Sequence, residues 1–350
     1  MKNIYITVFI LFAVVPATIA QNYQALNSFL TKYSDNYVSE CFGQSIPEYN
    51  FSPELSKQKL SGKVVILDFW ATWCGACHDL GHDLDSILVK GQFGKSYQII
   101  GINYKESKHQ QARTGGSDAY WRKNGYGFPM VEGIKAEQFG ERLNAGHPTL
   151  ILVDGDGIIR GRWDSYTPTT VPIVQAAVWI ITNPDEKFDK ELLRGILRNH
   201  DWPLALFITE QLTEDEEVFW AKLRALLHVS EWDAYEYVQT RYNEIATDKR
   251  KSEDYEEKLW NIMGEIVEAK VLSSDLNKFG LKLFDELCLN FEGYREDYIV
   301  LDYASRLYWR IGQKEKAREC NDTCLKICKK KNINSGTIEY FEKVAKDYQQ

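Results

Sequence analysis

Beyond its first twenty residues the chain has no run approaching about 18 consecutive apolar residues, so nothing later in it reads as a membrane span. Proline is scarce, nine in 350 residues, and after Asn183-Pro184 only Pro203 remains. Little therefore interrupts helical patterns in the second half. Lys and Arg number 42 against 50 Asp and Glu, a net charge of −8. No basic stripe interleaves with aromatics, which speaks against a nucleic-acid groove. There is no second Cys-x-x-Cys beside Cys74 and Cys77, hence no four-thiolate zinc site. Seven cysteines form an odd set, a poor basis for a structural disulfide framework. What is present is 44% hydrophobic and 13% aromatic residues, ample material for packed cores. The length is a prior for two domains.

The first twenty residues read as an export address. Lys2 supplies a positive start, Ile4 to Val15 an apolar run, and Thr18-Ile19-Ala20 the small residues before a cut. That run is shorter than a span of about 20 residues. Gln21 offers no cysteine for lipid attachment. The expectation is cleavage after Ala20 and a periplasmic or otherwise extracytoplasmic protein, soluble once cut and membrane-anchored if uncut.

Two textures follow, changing near residue 184. Before it, Val64 to Phe69, Tyr97 to Ile102 and Thr149 to Val153 are strand-like, and Asp154 to Gly157 is a hairpin turn leading into Ile158 to Trp163. Leu80, Leu84, Ile87 and Leu88 mark an amphipathic helix between the first two strands, and Val171 to Thr182 a closing one. This is an α/β arrangement. Residues 21–44 read as an N-terminal helical segment, 45–183 as the α/β domain and 184–350 as all-α. Trp202 and Trp232 lie 30 residues apart in similar contexts, and Tyr308, Gly312 and Ala317 resemble the spacing of a tetratricopeptide repeat. The second domain is expected to be an irregular helical-repeat array, with an ordinary helical bundle as the plainer alternative.

The chemistry concentrates in "VVILDFWATWCGACH", Val64 to His78. Cys-x-x-Cys-His is compatible with a dithiol redox centre, with covalent haem attachment through the two cysteines and His78 as axial ligand, or with zinc held by Cys74, Cys77, His78 and His82. A nucleophilic cysteine needs its thiolate, and the start of a helix lowers a thiol pKa near 8.5. Cys74 lies where the strand has ended and the helix begins, which makes it the exposed attacking sulfur. Cys77, one turn in, is the buried resolving one. Asp68 is a lone acid in an apolar strand, either buried and functional or pointing outward at a strand edge; the expectation is the first, as proton acceptor for Cys77. Zinc would be cramped on one helix start, and His78 and His82 read more simply as polar residues on a helix face.

"DFWATWCGAC" resembles the thioredoxin signature, with Ala76 where most members carry proline. Ile46 to Cys74, "GFPMVEG" (Gly127 to Gly133) and "GHPTLILVDGDGIIRGRW" (Gly146 to Trp163) resemble, in order, segments of the TlpA-like group of extracytoplasmic thiol–disulfide oxidoreductases. The resemblance covers residues 45–182. It implies an α/β thioredoxin-like fold, a central mixed sheet flanked by helices, with an insertion, a redox-active Cys74–Cys77 pair, Pro148 as a cis-proline facing the dithiol, and a docking surface formed by Trp73, His147 and Pro148. It requires no dissociable cofactor or metal, since the dithiol carries two electrons. The implied partners are protein thiols or disulfides and a membrane-linked or soluble recycling partner. The helical domain is a candidate binder of a protein partner.

His147 is unusual before such a proline. If protonated near Cys74 it would stabilise the thiolate and make the pair more oxidising, whereas Asp68 fits a reductant; a solvent-facing His147 is the alternative. Of the remaining cysteines, Cys320, Cys324 and Cys328 recur every four residues and read as packing residues rather than metal ligands, with a bridge to Cys288 a lesser alternative. Cys41 suggests no role. A non-catalytic peptide-binding module is the rival to the enzyme reading.

Overall fold

The computed structural model describes residues 17–90, 97–106, 115–247 and 254–348. The apolar start of the expected leader, Ile4 to Val15, lies outside them. They fall into two compact units that divide after Asp189.

In the first unit, helix α1 (Ala17–Tyr33) runs without a break through Ala20. Its Leu26, Phe29 and Leu30 are buried. Five strands form one mixed sheet: β1 (Val64–Trp70), β2 (Tyr97–Asn103), β3 (Met130–Val131), β4 (Thr149–Val153) and β5 (Ile159–Trp163), in the order β3-β2-β1-β4-β5. Strand β1 pairs parallel to β2 and antiparallel to β4, which pairs antiparallel to β5. The central place of β1 explains its continuous apolar sequence, since both its faces are covered. Helices α2 (Gly75–Asp83), α3 (Ser117–Asn124), α4 (Ile134–Arg142) and α5 (Thr170–Thr182) flank the sheet. A π-helical turn, Leu84–Val89, extends α2.

On one sheet face, Leu67, Phe69, Ile100, Ile102 and Ile151 close a core with Ile46, Tyr104 and Phe139. The fold class agrees with the expectation, and the strands from the apolar runs match to within a residue. Strand β3 and helices α3 and α4 carried no comparable sequence signal. A two-residue strand and helices of eight and nine residues are too short to show a period.

The second unit is helical throughout its described residues: α6 (Lys190–Arg198), α7 (Trp202–Gln211), α8 (Glu216–Val229), α9 (Glu231–Thr247), α10 (Tyr255–Glu268), α11 (Ser274–Asn290), α12 (Tyr298–Arg310), α13 (Lys314–Lys330) and α14 (Ser335–Asp347). Each helix packs against its neighbours in the chain. Asp201, Asp215, Ser273, Asp297 and Asn334 start α7, α8, α11, α12 and α14 by accepting backbone N–H bonds. The two tryptophans at the 30-residue spacing are not equivalent. Trp202 stacks on His228 at 4.4 Å, whereas Trp232 is exposed. Cys324 and Cys328 are fully buried and Cys320 packs beside them. The Cys324 thiol donates to the Tyr298 carbonyl, and Cys288 is unbridged.

Candidate active site

Strand β1 ends at Trp70, and three residues carry the chain to Cys74, the N-cap of α2. Cys74 and Cys77 are joined in a disulfide. The Cys77 backbone N–H points at the Cys74 sulfur at 3.2 Å, the contact that would stabilise a thiolate there. Contrary to expectation, Cys74 is not openly exposed: it is 6% accessible against 3% for Cys77. Trp73, Gly75 and Ala76 form the exposed rim around the bridge.

Asp68 lies in β1, the strand that leads into this site, 1% exposed, and neither carboxylate oxygen has a hydrogen-bond partner. Burial pushes its pKa up to about 8, because the charged form has lost its water without gaining a donor. The strand-edge alternative does not apply, since β1 is central.

His147 occupies neither of the two settings considered from sequence. Its Nε2–H donates to the Tyr104 carbonyl at 2.6 Å. Its ring lies 4.8 Å from that of Trp73 and 5.6 Å, nearly parallel, from that of Tyr104. Burial lowers its pKa below the usual imidazole value. Burial thus works against the cationic His147 considered from the sequence. Because the Tyr104 carbonyl can only accept, Nε2 is the protonated nitrogen in this contact. The His147–Pro148 peptide is cis, and Pro148 is buried.

Sequence reasoning missed the residues that hold this geometry. The segment Tyr104-Lys105-Glu106, just after β2, binds both walls of the site. The Tyr104 carbonyl takes the His147 bond, and the Lys105 carbonyl accepts from Trp73 Nε1 at 3.4 Å. The Glu106 carboxylate accepts from the Thr72 N–H at 2.8 Å, the Thr72 hydroxyl at 2.6 Å and Asn103 Nδ2 at 3.0 Å. On the other side Arg162 of β5 donates to the Leu143 and Asn144 carbonyls and pairs with Asp164, pinning the turn that leads to His147. The one sequence signal was indirect: Arg162 is a charged residue in a strand that must be largely buried.

His78 and His82 turn away from a shared metal site. The His78 ring stacks on Tyr120 at 4.5 Å and the His82 ring meets Tyr126 at 5.3 Å. Among the described residues no group of three or more His, Cys, Asp or Glu is placed to hold a metal ion.

The model of the AhpC/TSA family matches residues 47–162. The thiol:disulfide interchange protein DsbE of Haemophilus influenzae is 30% identical over 135 residues, covering 36% of this chain and 67% of that protein. The chain belongs to the thioredoxin-like thiol:disulfide interchange family. Its DsbE relative from Escherichia coli K12 is 31% identical over 105 residues, 29% of this chain and 49% of the relative. The chain thus spans about half the length of the first curated relatives it matches. Among solved structures, the thioredoxin domain of a thiol-disulfide oxidoreductase from Bacteroides vulgatus is 20% identical, with a TM-score of 0.31, covering 39% of this chain and 97% of that one. The segment that the family model matches lies within the first unit.

Proposed function

We propose that the protein is an extracytoplasmic thiol–disulfide oxidoreductase that works on protein substrates, with its dithiol on the reducing side. The observation that carries this reading is the Cys74–Cys77 bridge at a helix start above a buried, partnerless Asp68. In the reduced protein the Cys74 thiolate attacks one sulfur of a client disulfide. That S–S bond breaks, Cys74 becomes joined to the client, and the client's other sulfur leaves as a thiolate that takes up a proton. Asp68 accepts the Cys77 proton, and Cys77 attacks the Cys74 sulfur. The Cys74–Cys77 bond forms, the second client sulfur leaves, and two electrons have passed to the client.

The raised pKa of Asp68 suits this step. A carboxyl at its ordinary 3.8 would take a proton from a thiol near 8.5 only about 6 kcal/mol uphill. At about 8 the transfer is nearly level, and it runs through the fraction of Asp68 that is ionised, roughly one in ten at pH 7. The reducing direction is supported by what surrounds Cys74. Neutral His147 gives a thiolate no charge, and the Glu106 carboxylate sits on Thr72, two residues away. Both leave the thiolate, and hence the dithiol, less stabilised than a cationic neighbour would.

Trp73 and the His147-Pro148 turn are the proposed docking surface, and a membrane-linked or soluble partner is proposed to return the electrons. The second unit is read as irregular helical repeats that select the protein partner, supported by its chain-order packing. No helix among the described residues is long and apolar enough to cross a membrane.

Equilibration with dithiothreitol or glutathione buffers, followed by alkylation trapping, tests the direction. The expected potential lies nearer the about −270 mV of thioredoxin than the about −120 mV of DsbA. His147→Thr is expected to move it by no more than about 10 mV, since a neutral ring is removed. A potential at the oxidising end would reverse the direction, and a pair that never forms a disulfide would overturn the redox function altogether.

A further inference from the structure

The sheet face that carries Asp68 is built unlike the opposite one. Asp68 pairs across β1 and β2 with Gly101, so both residues project to the same face. A Cβ at Gly101 would stand 2.5 Å from the indole of Trp121. The missing side chain is what admits that ring, which lies against the strand beside the carboxyl. Trp121 also meets Trp70, two residues along β1 on the same face, at 4.8 Å. A second glycine repeats the device on α2, where a Cβ at Gly81 would stand 3.2 Å from the Tyr126 ring. Tyr126 in turn packs edge-on to Trp121 at 4.6 Å.

These rings are held from outside the strand. Trp121 Nε1–H donates to the Phe128 carbonyl at 3.0 Å, and the Gly127 N–H donates to the buried carboxylate of Asp85 at 2.7 Å. The segment between β2 and β3 is thereby fastened onto α2 with its aromatic side toward Asp68.

We propose that Trp121 is a positioning residue for proton transfer: seated over Gly101, it keeps water from Asp68 and so holds that carboxyl as the acceptor for the Cys77 proton. The inference rests on the proposed role of Asp68. It assigns a chemical task to the inserted segment, which would otherwise be a surface elaboration of the sheet.

The ionisable groups around Asp68 come from several elements. Helix α2 presents Cys77 and His78, α3 and the residues after it present Tyr120 and Tyr126, and the π-helical turn presents Asp85, paired with Lys90. Strand β4 presents Leu150 opposite Asp68, and α5 carries no ionisable residue. In the oxidised protein the two cysteines are bridged. Burial holds His78 below its ordinary value and Tyr120 and Tyr126 above theirs.

The test is an infrared titration of the carboxyl band of oxidised full-length protein, with the Asp68 signal assigned by its loss in Asp68→Asn. Wild type is expected to half-ionise near pH 8. Trp121→Ala, which uncovers the carboxyl, should lower the midpoint by about one unit or more, at least a tenfold rise in acidity. Gly101→Ala should shift it the same way by evicting the ring without touching the indole itself. Trp121→Phe, which keeps an apolar ring in place, should remain near wild type. The pH profile of mixed-disulfide resolution should move with the midpoint. If whichever of Trp121→Ala and Gly101→Ala folds, judged by circular dichroism, titrates like wild type, the inference is overturned. A wild-type Asp68 that ionises like an ordinary carboxyl would instead remove the proton-acceptor reading on which it stands.

Discussion

The chain holds two populations of cysteine, one in each kind of architecture. Cys74 and Cys77 sit at a helix start, where a backbone N–H faces one sulfur and the strand leading in carries a buried carboxyl. Cys320, Cys324 and Cys328 sit along α13, packed against Leu301 and Phe341. Burial pushes the Cys320 thiol up to about 11 and raises the other two as well. The residue type is the same, and the second group even repeats at a regular spacing. What separates them is the end of the helix they occupy and whether the apolar surroundings come with a donor. A thiol in the middle of a helix meets N–H groups already bonded within the helix, so burial only penalises its charge.

Labelling can break this contrast. In fully reduced native protein at pH 7, an electrophile such as iodoacetamide should modify Cys74 at least about 300-fold faster than Cys320. That is the loss of thiolate expected when a thiol moves from about 8.5 to about 11. Equal rates, read by peptide mass spectrometry, would mean that the helix start confers no activation.

Asp68→Asn sharpens it further by removing the acceptor and leaving both sulfurs. Resolution of the mixed disulfide at pH 7 should slow by roughly a hundredfold, the lower part of the usual range for a general base. Stability should change in the opposite sense. Between the ordinary 3.8 and about 8 the folded protein retains a proton that the unfolded chain has released. The native state therefore loses stability as pH rises through that window. Asp68→Asn avoids this loss and should be more stable at pH 7 by up to about 4 kcal/mol, with a flatter dependence on pH. A denaturation series at pH 4 to 8 in which the variant is never the more stable would contradict the raised pKa.

The smallest expected effect tests whether the helical unit selects clients. Trp232 and Leu272 are exposed, and the Glu231 carboxylate beside Trp232 in the chain accepts from the Leu272 and Ser273 N–H groups. Replacing both with Ala should weaken reaction with a protein disulfide by about tenfold, as the loss of a pair of apolar contacts would. Reaction with glutathione disulfide should not change. Equal slowing of both would place the effect in the dithiol and not in selection.

Much of the candidate site was legible because it is local. A strand, a turn and a helix start lie within fifteen letters, and one acid among apolar residues marks itself. The hairpin at Asp154 to Gly157 was legible for the same reason, since turn chemistry is written in adjacent residues. The remainder depends on pairs far apart in the chain. Thr72 and Glu106, Trp73 and Lys105, and Tyr104 and His147 meet across intervals of 32 to 43 residues. Several use backbone carbonyls, which leave no trace in composition. His147 shows the limit most clearly. The sequence places a titratable ring beside the proline, but only the folded partners decide that it donates from Nε2 and that burial disfavours its charge. Trp121 and Gly101 likewise read separately as an aromatic on a short helix and a small residue in a strand.

The bracket formed by Tyr104, Lys105 and Glu106 bears on protein engineering. Someone wishing to move this redox loop into another scaffold would naturally graft Ala71 to His78, the contiguous letters that carry the sulfurs. The graft would leave its anchors behind, because the atoms that fix Thr72, Trp73 and the opposing imidazole belong to the exit of the neighbouring strand. The transferable module is therefore two strand ends and the turn facing them, a discontinuous cassette.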